Sequence, residues 1–247
     1  MSAPNRKVQL ACVTAGLVCP VIVLIALFGS SIFPPPSPAA SAEKIAAFYQ
    51  DNTDLKRAGL LLTFLGFGLI APLVAVISVQ LMRIEGRGPA MAILQLMAGI
   101  GVWVIVLVSF IVLAVAAFRP GRTPDITQTL SDLGYILLIM PVTPFTAQNI
   151  AIAVAVLSDH SDSPVYPRWV AWLNLWVGFT FFAGGLVIFF TTGPFSYRGL
   201  LAFWIPGAMY FTWIPVMALM TRRAILAQDS PADRTTASAL PPMATAA

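Results

Sequence analysis

The chain has 247 residues, of which 58% are hydrophobic and only 10% charged, against about 25% charged in ordinary soluble domains. A soluble fold of this size cannot hide that much apolar surface, so the class is integral membrane. The net charge of +4 comes from 14 basic and 10 acidic side chains set mostly between apolar blocks. Nucleic-acid binding is excluded, because it needs clustered basic residues with interleaved aromatics on a polar surface.

A helix crossing the bilayer core needs about 20 mostly apolar residues. Six runs qualify: 8–28, 58–82, 90–118, 130–157, 169–190 and 200–220. They predict an all-α, polytopic transmembrane helical bundle, one domain over 1–223, followed by a tail over 224–247. The first run follows Arg6 and Lys7 and precedes "SPAASA", which resembles a cleavage site. Its apolar core exceeds the usual 7–15-residue signal region, so it reads as a retained helix. Cys12 and Cys19 lie on it, seven residues apart. That separation along one helix is too long for a disulfide, so both read as small packing residues.

The outer loop 29–57 opens "SSIFPPPSPAAS", where successive prolines favour an extended path. Ser41 then caps a short helix, "AEKIAAFYQ", whose Ile45, Phe48 and Tyr49 share one side and would lie on the membrane surface or cover the bundle. Gly59, Thr63 and Gly66 stack along one face of the second run, and Gly99 and Gly101 sit in the third; small residues of this kind permit close helix contacts.

The fourth run carries most of the polar groups, within "DLGYILLIMPVTPFTAQN". At about 100° per residue, Asp132, Tyr135, Thr143, Thr146 and Asn149 fall in one sector, with Gln148 on the far side. Pro141 and Pro144 each remove a backbone donor and bend the helix, so a break is expected near 141–144. The bend frees carbonyls that need partners inside the bundle. The stripe either hydrogen-bonds across helices, as Thr and Asn commonly do in membranes, or lines a cavity in which Thr143, Thr146 and Asn149 bind a polar head. Asp132 is the one carboxylate within a predicted span. It either complements a helix N-terminus or, pointed inward beside Tyr135, serves as a catalytic acid.

The fifth run opens "PRWVAWLNLW", placing Trp169, Trp172 and Trp176 on one face. Trp169 and Trp172 fit an interfacial belt, whereas Trp176 lies about two turns deeper. Trp172 and Trp176 are therefore candidate ligand-packing residues, and Trp103, Trp204, Tyr210 and Trp213 could complete an aromatic-lined pocket or simply pack. The tail after Arg223 is rich in Ala, Pro, Ser and Thr without apolar period and is expected to be disordered. The lone His160 with Asp159 and Asp162 is a weak ligand set, so neither metal nor cofactor is expected.

Counting Lys and Arg, the N-terminus, the 83–89 and 158–168 loops and the tail hold eight, while the alternate loops hold six. With Arg222 and Arg223 directly after the last span, this places both termini in the cytoplasm of a cell (inner) membrane protein.

"YPRWVAWLNLWVGFTFFAGGLVIFFTTGPFSYRGLLAFWIP", with "VISVQLMRIEGRG" earlier in the chain, resembles a family of uncharacterised bacterial six-span multi-pass membrane proteins of similar length. The likeness covers about 43 to 223. It implies a six-span helical fold and brings no activity and no site residues.

The residues favour a protein that binds a hydrophobic or amphipathic small molecule, such as a lipid, sterol or isoprenoid, in an intramembrane cavity, as a carrier or accessory subunit. An intramembrane cyclase or isomerase using Asp132 is the second reading, weakened by the lack of a converging base. A structural subunit of a membrane complex is the third. Expected partners are membrane lipids, a hydrophobic small molecule, and a partner membrane subunit or second copy.

Overall fold

The computed structural model describes residues 3–228. Among them every regular element is helical. Six stretches are long and apolar enough to cross a bilayer: Asn5–Gly29, Thr53–Glu85, Ala90–Phe118, Pro124–Leu157, Arg168–Phe189 and Leu200–Ala227. The protein is thus an all-α, multi-pass helical bundle. Spans one and three are unbroken: α1 (Ala3–Gly29) and α5 (Ala90–Phe118). The short α2 (Ala42–Gln50) begins directly after Ser41, and its Ile45 and Tyr49 are buried against the bundle rather than laid on its surface. The tail expected from 224 starts later, because the last helix continues to Ala227; residues 229–247 lie outside the described part.

Three spans depart from a single helix, each with a local cause. The second divides into α3 (Thr53–Phe67) and α4 (Ile70–Glu85). Pro72 stands in the first turn of α4, where its ring would clash with the carbonyl of Gly68 in a continuous helix. The run expected as one helix over 58–82 is therefore two helices. The fourth divides into α6 (Pro124–Ile139) and α7 (Val142–Leu157), at the near edge of the expected 141–144. Pro141 cannot donate to the carbonyl four residues back, and Val142 N–H turns instead to Met140 O at 2.7 Å. Pro144 then falls in the first turn of α7, where no intrahelical donor is needed.

The fifth span begins as α8 (Arg168–Thr180) and tightens to a 3₁₀ helix over Phe181–Phe189. There Gly184 passes over the break in span four, so close that an added Cβ would lie 2.5 Å from Ile139 O. The sixth opens with a π-helical turn, Leu200–Trp204, and continues as α9 (Ile205–Ala227).

The long α5 is central and packs on α3, α4, α6 and α7, while α1 packs on α3, α4 and α9. The α1–α3 contact needs the small residues noted in the sequence: a Cβ on Gly59 would collide with Ser30, and one on Gly66 would reach 2.7 Å from Ile22. The outside of the bundle is as greasy as the inside, with Leu61, Leu65, Met97, Ile111, Phe179 and Phe189 all exposed. Buried polar residues such as Gln80, Gln95, Gln148 and Asn174 lie within. That sorting suits a hydrocarbon solvent, in which polar groups must find partners internally.

Candidate functional site

The polar residues of span four separate at its break. In the α6 half, Asp132 and Tyr135 join a cluster at the 29–57 side. Tyr197 donates to Asp132 Oδ1 at 2.9 Å, and its ring stacks on Tyr135 at 5.3 Å between centroids. Tyr135 donates to Ile32 O at 3.2 Å, and Tyr49 donates to Ser131 Oγ at 3.1 Å. Outside the spans, burial first and the Asp132 charge second push the Tyr197 hydroxyl well above the ordinary tyrosine range. Burial does the same to Tyr49. These phenols therefore stay protonated and act as hydrogen-bond donors. They tie α2 and the 190–199 loop to α6, a positioning role.

In the α7 half, the expected stripe does not form. Thr143 is exposed, Thr146 half-buried and Asn149 buried. The helix restarts after the break, so a projection carried through both halves misplaces part of the buried side of α7. Gln148, placed on the far side by that projection, is buried instead, its amide meeting α5 at Gly99. Thr146 donates to Gly178 O on α8 at 3.4 Å. Asn149 donates to Phe145 O of its own helix at 2.8 Å, and its Oδ1 is buried with no partner. The 290 Å³ cavity described below is lined by none of Thr143, Thr146 and Asn149.

Trp172 and Trp176 are 63% and 60% exposed, beside an exposed Trp169 and Phe179. They present an aromatic stripe outward and do not enclose Asn149. The inward face of α8 carries Asn174 instead, a residue the sequence reading passed over. Asn174 Nδ2 donates to Val170 O at 2.8 Å, and its Oδ1 accepts from Trp213 Nε1 at 2.9 Å. Buried Ser78 donates to Gln95 Oε1 between α4 and α5. Also unread in the sequence was Lys56, which is buried under α2. Its Nζ donates to Asp51 O at 2.7 Å and stands 4.8 Å from the centre of the Phe48 ring.

A cavity of about 290 Å³ lies elsewhere, lined mainly by spans one and six. Buried Val106, Phe110 and Phe145 line its inner wall. Phe145 stacks on Phe181 at 4.4 Å, with Tyr210 edge-on to Phe145 at 5.5 Å. Its mouth is sideways: Phe28 on α1 and Trp204 and Ala208 at the start of span six line it and are exposed. Phe33 and Phe203, in edge contact at 5.0 Å, line it toward the 29–57 side. The lining is apolar apart from the Tyr210 hydroxyl and the Trp204 indole. Trp213 stacks behind Tyr210 at 5.8 Å. Of the aromatics considered for a pocket, Trp204 and Tyr210 line it and Trp213 backs it.

Among the described residues, no three of His, Cys, Asp and Glu come together as metal ligands. Compared with family models, with curated proteins and with solved structures, the chain matches none. What stands of the resemblance quoted above is the six-span helical bundle; no family assignment follows from it.

Proposed function

We propose that this multi-pass membrane protein holds a hydrophobic or amphipathic lipid-like molecule, as a carrier or accessory subunit, in the cavity lined mainly by spans one and six. The observation that carries this is the sideways mouth beside Phe28, Trp204 and Ala208. A hydrocarbon chain could pass through it from the bilayer without meeting water. The volume is near the low end of small-molecule sites, about 300–1,000 Å³. The near-uniform apolar lining supports holding a chain over transforming it, since a reacting centre needs acids and bases aimed at it. Asp132, the acid of the enzymatic reading, is engaged with Tyr197 instead.

Gly207 lines the cavity, and an added Cβ there meets nothing within 4 Å. The backbone there accepts a Cβ, so Gly207→Leu is the substitution chosen to obstruct the cavity. A long-chain alcohol bearing a diazirine, in vesicles with the protein, should crosslink at Leu24, Trp204 and Ala208, and Gly207→Leu should remove those crosslinks. Labelling spread over outward aromatics such as Trp176, unchanged in Gly207→Leu, would refute the reading.

The proposal includes the cell (inner) membrane with both termini cytoplasmic, supported by the eight-to-six basic count and by Arg222–Arg223. In a variant lacking Cys12 and Cys19, single cysteines at the exposed Ala39 and Ser163 report it. An impermeant maleimide should label position 39 and spare 163 in intact cells; the reverse pattern overturns the orientation.

A further inference from the structure

The 190–199 loop, which leads into the wall of the cavity, is held at several points. Leu201 and Ala202 N–H both donate to Pro194 O, at 2.9 and 3.2 Å. Ser196 Oγ donates to Gly193 O at 3.0 Å. Tyr197 is anchored inward on Asp132, and Gly199 packs so tightly on Pro194 that a Cβ would collide with its carbonyl. Between these two fixed residues stands Arg198, exposed, with no ion pair among the described residues. Phe203 and Trp204, five and six residues on, line the cavity.

The other basic side chains near that end are mostly engaged. Arg57 donates to Asp54, at 2.9 Å, and to two backbone carbonyls of α5. Arg122 donates to Val115 O, Lys56 is buried on Asp51 O, and Arg119 leans over the Phe118 ring. Arg198 thus carries an exposed guanidinium on a hydrogen-bonded loop that runs, five residues later, into the wall of a chain-sized apolar cavity.

We infer that the cavity takes a single-chain amphiphile with an anionic head, carboxylate or phosphate, and that Arg198 holds that head at the 29–57 side while the tail occupies the cavity. This rests on the chain-holding reading above. The guanidinium fork matches both anions with paired donors, and its apolar stem can lie along the interface while the charge stays at head level. Lys44, also exposed on that side, is on α2, an element that does not line the cavity.

The experiment uses three diazirine probes with one chain length: the fatty acid, the alkyl phosphate and the neutral alcohol. Each is presented to the full chain in neutral vesicles. In the wild type, acid and phosphate should label the cavity residues more strongly than the alcohol by about three- to tenfold, the scale of one charge-assisted contact at a partly wet site. Arg198→Gln should bring both down to the alcohol level without changing alcohol labelling, and Arg198→Lys should restore part of the preference. Loss of labelling by all three probes in Gly207→Leu, together with an unchanged acid-to-alcohol ratio in Arg198→Gln, would overturn the head assignment and leave the chain-holding reading intact. Labelling insensitive to Gly207→Leu would overturn both. Preference for phosphate alone, or for carboxylate alone, that disappears in Arg198→Gln names the source of the ligand and supports the assignment.

Discussion

Tyr197 and Asp132, 65 residues apart in the chain, meet through a 2.9 Å hydrogen bond from the phenol to Oδ1. The bond makes Asp132 an acceptor that fixes a loop. Asp132→Asn keeps an oxygen for Tyr197 and should be no less stable than wild type, with chain binding unchanged. Tyr197→Phe removes the donor and should lower stability by about 0.5–1.5 kcal/mol. Denaturation in detergent micelles checks both. Abolition of a lipid-converting activity by Asp132→Asn would restore the enzymatic reading.

Two buried asparagines should answer differently to leucine. Asn174 accepts from Trp213 Nε1, so Asn174→Leu strands a buried indole N–H and should cost about 1–3 kcal/mol. Asn149 Oδ1 has no partner and its amide serves only its own helix. Asn149→Leu should therefore be neutral or mildly stabilising. Equal losses in the two variants, measured by the same unfolding assay, would contradict this account.

Adjacent glycines in the fifth span offer a steric test. Gly184→Ala would press a methyl to 2.5 Å from the Ile139 backbone oxygen, whereas Gly185→Ala meets Val142 at 3.7 Å, an ordinary contact. We expect a loss of about 1–3 kcal/mol for the first, the usual range for overpacking, and little change for the second. A thermal melt of Gly184→Ala that overlays the wild type would show that the 3₁₀ segment does not ride on the break in span four.

The 158–167 loop should respond to acid. Burial pushes the Asp159 carboxyl up. Bonds from the Ser161 hydroxyl and from the Val165 and Ser161 amides, together with nearby His160, outweigh it and hold the group below its usual value. A lowered folded-state pKa contributes stability that is present above the unfolded value of 3.8 and is lost as pH falls through the folded value. Val165 N–H, which donates to Asp159 Oδ2 at 2.8 Å, should lose hydrogen-exchange protection across that window. Asp159→Asn should flatten the pH dependence; protection that persists unchanged below the window would contradict it.

By itself the sequence determined the number and placement of the spans and the break at Pro141. These depend on local quantities: the length of an apolar run, and a proline that lacks a donor. The same rule applied to Pro72 accounts for the second break, although that residue had been read as part of one continuous helix. Only the tertiary structure decided which side of each helix faces inward. In water, hydrophobicity marks the buried face, but in a bilayer both faces are apolar, so Trp176 can point out while Val177 points in with little in the residue types to separate them. Each break also resets the phase of the helix after it, which turned Thr143 outward and Gln148 inward. Partners such as Tyr197 for Asp132 and Trp213 for Asn174 lie 65 and 39 residues away, and the cavity is walled by segments from all six spans. Such contacts are set by how helices pack against one another, which periodicity along a single helix does not encode.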